Sequence, residues 1–198
     1  ELHREDEEAL QFIAKFPKPQ SQKYSLTREL FSYQLTTDWL NDALQHWFQL
    51  YEEVPFALDL VRALRHGNYG GPDVGLFGAV SALDALHATL VGGNKGSSNL
   101  EGRLSEIAKK YAHAIGPLLK PSDCKTVADG RNHIAHPLPK NRQKALPPSE
   151  VFLWYRRISM TLDAILIASL PIPDALHENI CTTRLRRIST GIWGDLIA

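Results

Sequence analysis

Arg131, Asn132, His133 and His136 fall within six positions of one another, and Pro137 follows at once. An Arg is always charged and grips phosphate through a planar fork. An Asn amide can hold a ribose hydroxyl or a phosphate oxygen, and an imidazole titrates near neutral pH. That set suits metal-free cleavage of an RNA phosphodiester. A base takes the 2′-hydroxyl proton, the oxygen attacks the neighbouring phosphorus, and a cation stabilises the charge that grows on the phosphoryl oxygens. In a chain with 22 Lys and Arg and 8 His, the Arg-x4-His spacing by itself carries little information. What the surrounding elements do with it decides its meaning.

Arg131 and His136 would point about 140° apart on an unbroken helix, because each residue turns about 100°. Pro137 disfavours the α conformation at His136, so the helix is expected to stop there and release the imidazole. Ser122 or Asp123 is expected to cap this short helix. Cys124, Val127, Arg131 and Ile134 would share one face, which turns Arg131 partly inward. If the helix persisted, His133 would point away from Asn132 and His136, and it would assist the reaction or merely line the site.

The string RNHIAHP resembles the Arg-x4-6-His signature of HEPN domains, whose Arg is often followed by Asn, Asp or His. The flanking segments GLFGAVSALDALHATL and VFLWYRRISMTLDAILIASL resemble the helices around that motif in the C-terminal HEPN domain of ApeA-type anti-phage proteins. The resemblance spans roughly residues 52 to 171. It implies an all-α, HEPN-like helical bundle with additional flanking helices, a homodimer that brings two motifs together, and metal-independent endoribonuclease activity without a cofactor. It also implies structured RNA such as tRNA as substrate, in abortive anti-phage defence. Arg131 would then stabilise the phosphoryl charge, His136 would serve as base or acid, and Asn132 would position the nucleotide. An acidic residue often orients the motif Arg in this family, and Asp84 matches that place. The competing expectation is a non-catalytic dimerisation or RNA-binding module of a larger defence protein.

Helical periodicity runs through most of the chain. Thr36 or Thr37 is expected to cap a helix from Asp38 in which Trp39, Leu40, Leu44, Trp47, Phe48 and Tyr51 form a stripe for the core or a dimer surface. A second helix spans about 55 to 66, and a third about 72 to 91. On the third, Leu76, Val80, Leu83, His87 and Leu90 share a face with Asp84 at its edge. Two polar groups so placed need partners: each other, or the motif Arg. A fourth helix follows Ser98 or Asn99 and ends or bends at Gly116-Pro117. The last long one starts near Ser149 and Glu150 and runs to Leu170, with Arg156 and Arg157 away from its apolar stripe. No stretch alternates with period two over a useful length, so the fold class is all-α.

Acidic and basic residues balance at 22 each, so RNA would be held by local clusters. The candidates are Lys140, Arg142 and Lys144 in a loop after the motif, and Arg184, Arg186 and Arg187 in the tail. Cys124 and Cys181 match no zinc spacing and indicate a reducing, cytoplasmic setting. GGNKGSSN lacks the order of a phosphate loop, and the neutral charge disfavours a DNA-binding module. The longest apolar run, around 164 to 170, is far too short to span a bilayer. The HEPN domain is expected over 36–198. Residues 1–35 are expected to be an extension or linker from a preceding region, since the chain opens on Glu1 and its one Met is Met160.

Overall fold

The structure, a computed structural model, describes residues 39–66, 70–92, 99–137, 139–174 and 176, apart from the side chains of Lys140 and Asn141. The expected extension over 1–35, the Thr36 or Thr37 cap and the Arg group at 184–187 lie outside these residues, as does any side-chain role of Lys140. Among the described residues the fold is all-α, with seven α-helices, two 3-10 turns and no strand. The helices are α1 (Leu40–Glu53), α2 (Pro55–Arg65), α3 (Pro72–Val91), α4 (Leu100–Lys110), α5 (Ala112–Ile115), α6 (Cys124–Ala135) and α7 (Pro148–Ser169).

Helix α3 is the axis of the molecule. Leu76, Ala79, Val80, Ala82, Leu83 and Leu86 are fully buried and cover an arc of about 160° at about 100° per residue, a face wide enough to pack against several helices. Its small residues set how closely the neighbours approach. A Cβ added at Gly75 would stand 2.8 Å from the Tyr155 ring, so this glycine lets α7 lie directly against α3. Val151, Trp154, Ile158, Leu162, Ile165 and Leu166 complete the contact from α7. By length and composition alone α3 could also cross a bilayer. Ser81, Asp84 and His87 divide it into short apolar runs while the helix as a whole stays apolar.

Helix α4 runs beside α3 in the same direction. Asp84 pairs with Arg103, His87 with Glu106, and the Leu90 carbonyl accepts from Lys110, at sequence separations of 19, 19 and 20. Asn99 caps α4 as expected, its side chain accepting from the Gly102 N–H at 2.9 Å. Near Tyr111 the helix breaks and resumes as α5, which ends at Gly116 with φ of 30°.

The expected stripe of α1 divides in two. Leu50 and Ala43 are buried and Trp47 packs on the main core, whereas Leu40, Leu44, Phe48 and Tyr51 are exposed. These four do not form core.

Candidate functional site

Helix α6 is held at its start and released at its end. A 3-10 turn, Pro121–Asp123, leads into it, and the Asp123 carboxylate accepts from the Lys120 N–H at 3.0 Å. Asp123 thus closes the preceding turn instead of capping α6, which has no side-chain cap. Arg157 of α7 grips the same corner. It donates to the carbonyls of Leu118 (3.0 Å) and Pro117 (2.9 Å) and to Asp123 (3.2 Å), and stacks 4.1 Å from the Trp154 ring. Periodicity set Arg157 on the outer face; its long stem and fork reach back to the loop carbonyls. Cys124 and Val127 anchor the first turn in the core, and burial pushes the Cys124 thiol up to about 11.

The other end bears the motif. Arg131 is half-buried, its guanidinium 4.8 Å from the centre of the Phe77 ring on α3. Its Nη1 donates to the Asn132 side-chain oxygen at 3.3 Å, while its buried Nε has no hydrogen-bond partner among the described residues. The helix stops at Ala135, as Pro137 leads one to expect. The His136 N–H still donates to the Asn132 carbonyl at 3.0 Å, but its φ of −137° and ψ of 76° take it out of the helix, and its side chain is exposed. His133 and Asn132 are half-buried. Among the described residues Arg131 stacks on Phe77 and hydrogen-bonds to Asn132, with no hydrogen bond or ion pair to His136 or Asp84.

Asp84 and His87 belong elsewhere. Arg103 binds Asp84 through both carboxylate oxygens, at 2.5 and 3.1 Å, and this contact raises the already high Arg103 pKa. His87, 5 % exposed, shares a 2.6 Å hydrogen bond with Glu106 Oε2, its ring N–H donating to the carboxylate. The two polar groups are therefore neither paired with each other nor aimed at Arg131. They form consecutive rungs between α3 and α4, because Asp84 and His87, like Arg103 and Glu106, are three residues apart and so lie on one helical face. That shared three-residue step was readable in the sequence.

The basic stretch after the motif is not a loose loop. Residues Pro139–Lys144 form a 3-10 turn that folds back over α6. Lys144 pairs with Asp129 Oδ1 at 2.8 Å, and Lys125 pairs with Asp129 Oδ2 at 2.7 Å. These two ammonium groups, Lys125 first, hold the Asp129 carboxyl below its ordinary range. Beyond them Leu146 lies on Gly130, where a Cβ would stand 2.5 Å from its Cδ1. Gly130 thus permits the close approach one residue before Arg131. Arg142 is exposed. Of the expected RNA contacts, Lys144 already has an acidic partner and Arg142 faces solvent.

Phe77 and Asp129 are the site residues that spacing overlooked. Lys125 and Asp129 are four residues apart on one helix, a visible signal. Nothing in the sequence shows which ring of α3 would lie beneath Arg131. No three His, Cys, Asp or Glu side chains converge as metal ligands among the described residues. Two surface grooves lie away from the motif, one between α2 and α7 and one near His46, Lys110 and His113. No protein family, curated protein or solved structure matches the chain.

Proposed function

We propose that the chain is a HEPN-like, metal-independent endoribonuclease acting as a homodimer. The observation that carries this reading is Arg131: a guanidinium fixed against Phe77, with one long hydrogen bond and an unpartnered Nε, on the last turn before an exposed His136. Buried polar groups ordinarily have partners, and a guanidinium donor left unpaired on the same helix end as an imidazole suits an anionic ligand. In the first step an imidazole takes the 2′-hydroxyl proton, the 2′-oxygen bonds to phosphorus, and the bond from phosphorus to the 5′-oxygen breaks. The leaving oxygen gains a proton from an imidazolium, giving a 2′,3′-cyclic phosphate and a 5′-hydroxyl. Arg131 stabilises the charge on the phosphoryl oxygens, and Asn132 holds the nucleotide. His133 lines the cleft.

Among the described residues no hydrogen bond joins Arg131 to His136 of its own chain. A twofold partner would let the imidazole of one subunit serve the guanidinium of the other, and symmetry would build the site twice. Structured RNA such as tRNA, anti-phage defence and a cytoplasmic setting belong to this proposal through the resemblance. The exposed stripe of Leu40, Leu44, Phe48 and Tyr51 favours the second reading, a dimerisation or RNA-binding module without catalysis. Incubating total RNA and EDTA with the wild-type chain, Arg131→Ala and His136→Ala separates the two. Cleavage by wild type alone, with cyclic-phosphate ends, supports the nuclease. Identical RNA patterns from all three reject it, and a strict monomer by light scattering rejects the shared cleft.

A further inference from the structure

From the fold of the 139–147 segment we infer that Asp129 is an internal stand-in for RNA phosphate: it holds Lys144, and with it this strap, against α6 until a phosphodiester competes for the same ammonium. The inference rests on the ribonuclease reading above and adds a restraint on substrate entry to it. Three observations meet here. Both Asp129 oxygens are engaged, one by Lys125 from the preceding turn and one by Lys144 from the strap. Leu146 closes on Gly130 so that a Cβ there would stand 2.5 Å from its Cδ1 and push the leucine aside. The Ala145 N–H donates to the Arg142 carbonyl at 3.1 Å, so the strap between the two anchors has its own internal order.

The location gives the contact its meaning. Asp129 and His133 are four residues apart and share a face of α6, so Lys144 is tethered one turn below the imidazole-bearing end. A carboxylate and a phosphodiester each offer a single negative charge to an ammonium whose three donors can turn to either. The Lys144 pair is half-open to water, with side chains 44 % and 23 % exposed, so exchange of one anion for the other is inexpensive. While Asp129 holds Lys144, RNA loses one of its cations; when RNA takes Lys144, the strap loses an anchor. Neutralising Asp129 should therefore tighten RNA binding, although it removes a native contact.

The test uses the whole chain and a short fluorescein-labelled single-stranded RNA, with binding followed by anisotropy over a range of salt. Asp129→Asn should bind about two- to fivefold more tightly than wild type, with a salt dependence steeper by about 0.7 in log–log slope. In a Lys144→Gln background the same change should give less than half of that gain, because the cation it would release is gone. A gain of equal size in both backgrounds, or no gain, overturns the inference while leaving RNA binding by wild type intact. Absence of RNA binding by wild type and every variant removes the ribonuclease reading and this inference together. Amide exchange without RNA gives an independent readout. The Ala145 amide should exchange faster in both Asp129→Asn and Lys144→Gln, and unchanged protection would show that the ion pair does not hold the strap.

Discussion

The rungs between α3 and α4 and the free end of α6 are built from the same kinds of side chain and use them in opposite ways. In the rungs, Asp84 takes both arms of the Arg103 fork and Glu106 accepts from His87. At the end of α6, Arg131 has an aromatic ring beneath it, one long hydrogen bond and a buried Nε with nothing to donate to. An arginine whose fork is filled is a fastener. One with donors left over has capacity for a ligand. The contrast separates the polar residues of this chain into those that hold the bundle and those proposed to act on something outside it.

The largest expected effect falls on the α6 side. Arg131→Lys keeps the charge but loses the planar fork, and should lower RNA cleavage by about 100-fold or more with little change in thermal stability. His136→Ala should lower it by about 10²–10⁴-fold, again without unfolding, since the ring is exposed. A cleavage rate that survives both changes erases the distinction between the two regions.

Asp84→Ala is the complementary change. Leaving Arg103 without its carboxylate should cost about 1–2 kcal/mol in denaturant unfolding, less than a fully buried pair because both side chains keep some water. Cleavage per folded molecule should stay unchanged. A rate that falls with intact stability would mean that Asp84 reaches Arg131 during the reaction after all. Phe77→Leu preserves apolar bulk but removes the ring face, and should weaken the hold on Arg131 by about 0.5–1 kcal/mol, read as a several-fold loss of rate.

The smallest effect is a pH dependence. Two ammonium groups depress the Asp129 carboxyl, so the stability it contributes is present above the ordinary carboxylate value and is lost as the pH falls through the depressed one. The stability difference between wild type and Asp129→Asn should thus be constant near neutrality and shrink below about pH 4. A difference that grows toward acid would reverse the sign of the Lys125 and Lys144 contacts.

Much of this architecture was legible in the residues. The all-α class, the bounds of α3, the Asn99 cap and the stop before Pro137 follow from forces acting within a few residues: backbone hydrogen bonding, side-chain spacing and the missing N–H of proline. The inward face of α6 was legible for the same reason, with Cys124 and Val127 buried and Arg131 half-buried beside them. The outward turn of Leu40, Leu44 and Phe48 was not, because periodicity identifies a stripe without saying what meets it. Arg157 escaped similarly: its stem places it on the outer face, yet its fork returns to the Leu118 carbonyl.

By itself the sequence determined where helices start and stop and that Arg131, Asn132 and His136 crowd one helix end. Only the tertiary structure decided who meets whom. It gave Asp84 to Arg103, His87 to Glu106, Lys144 to Asp129 and the Phe77 face to Arg131. The physical reason is that a side chain's reach and preferred rotamers are local properties. Its partner depends instead on the direction in which a neighbouring helix passes, and that is fixed by burial summed over the whole core.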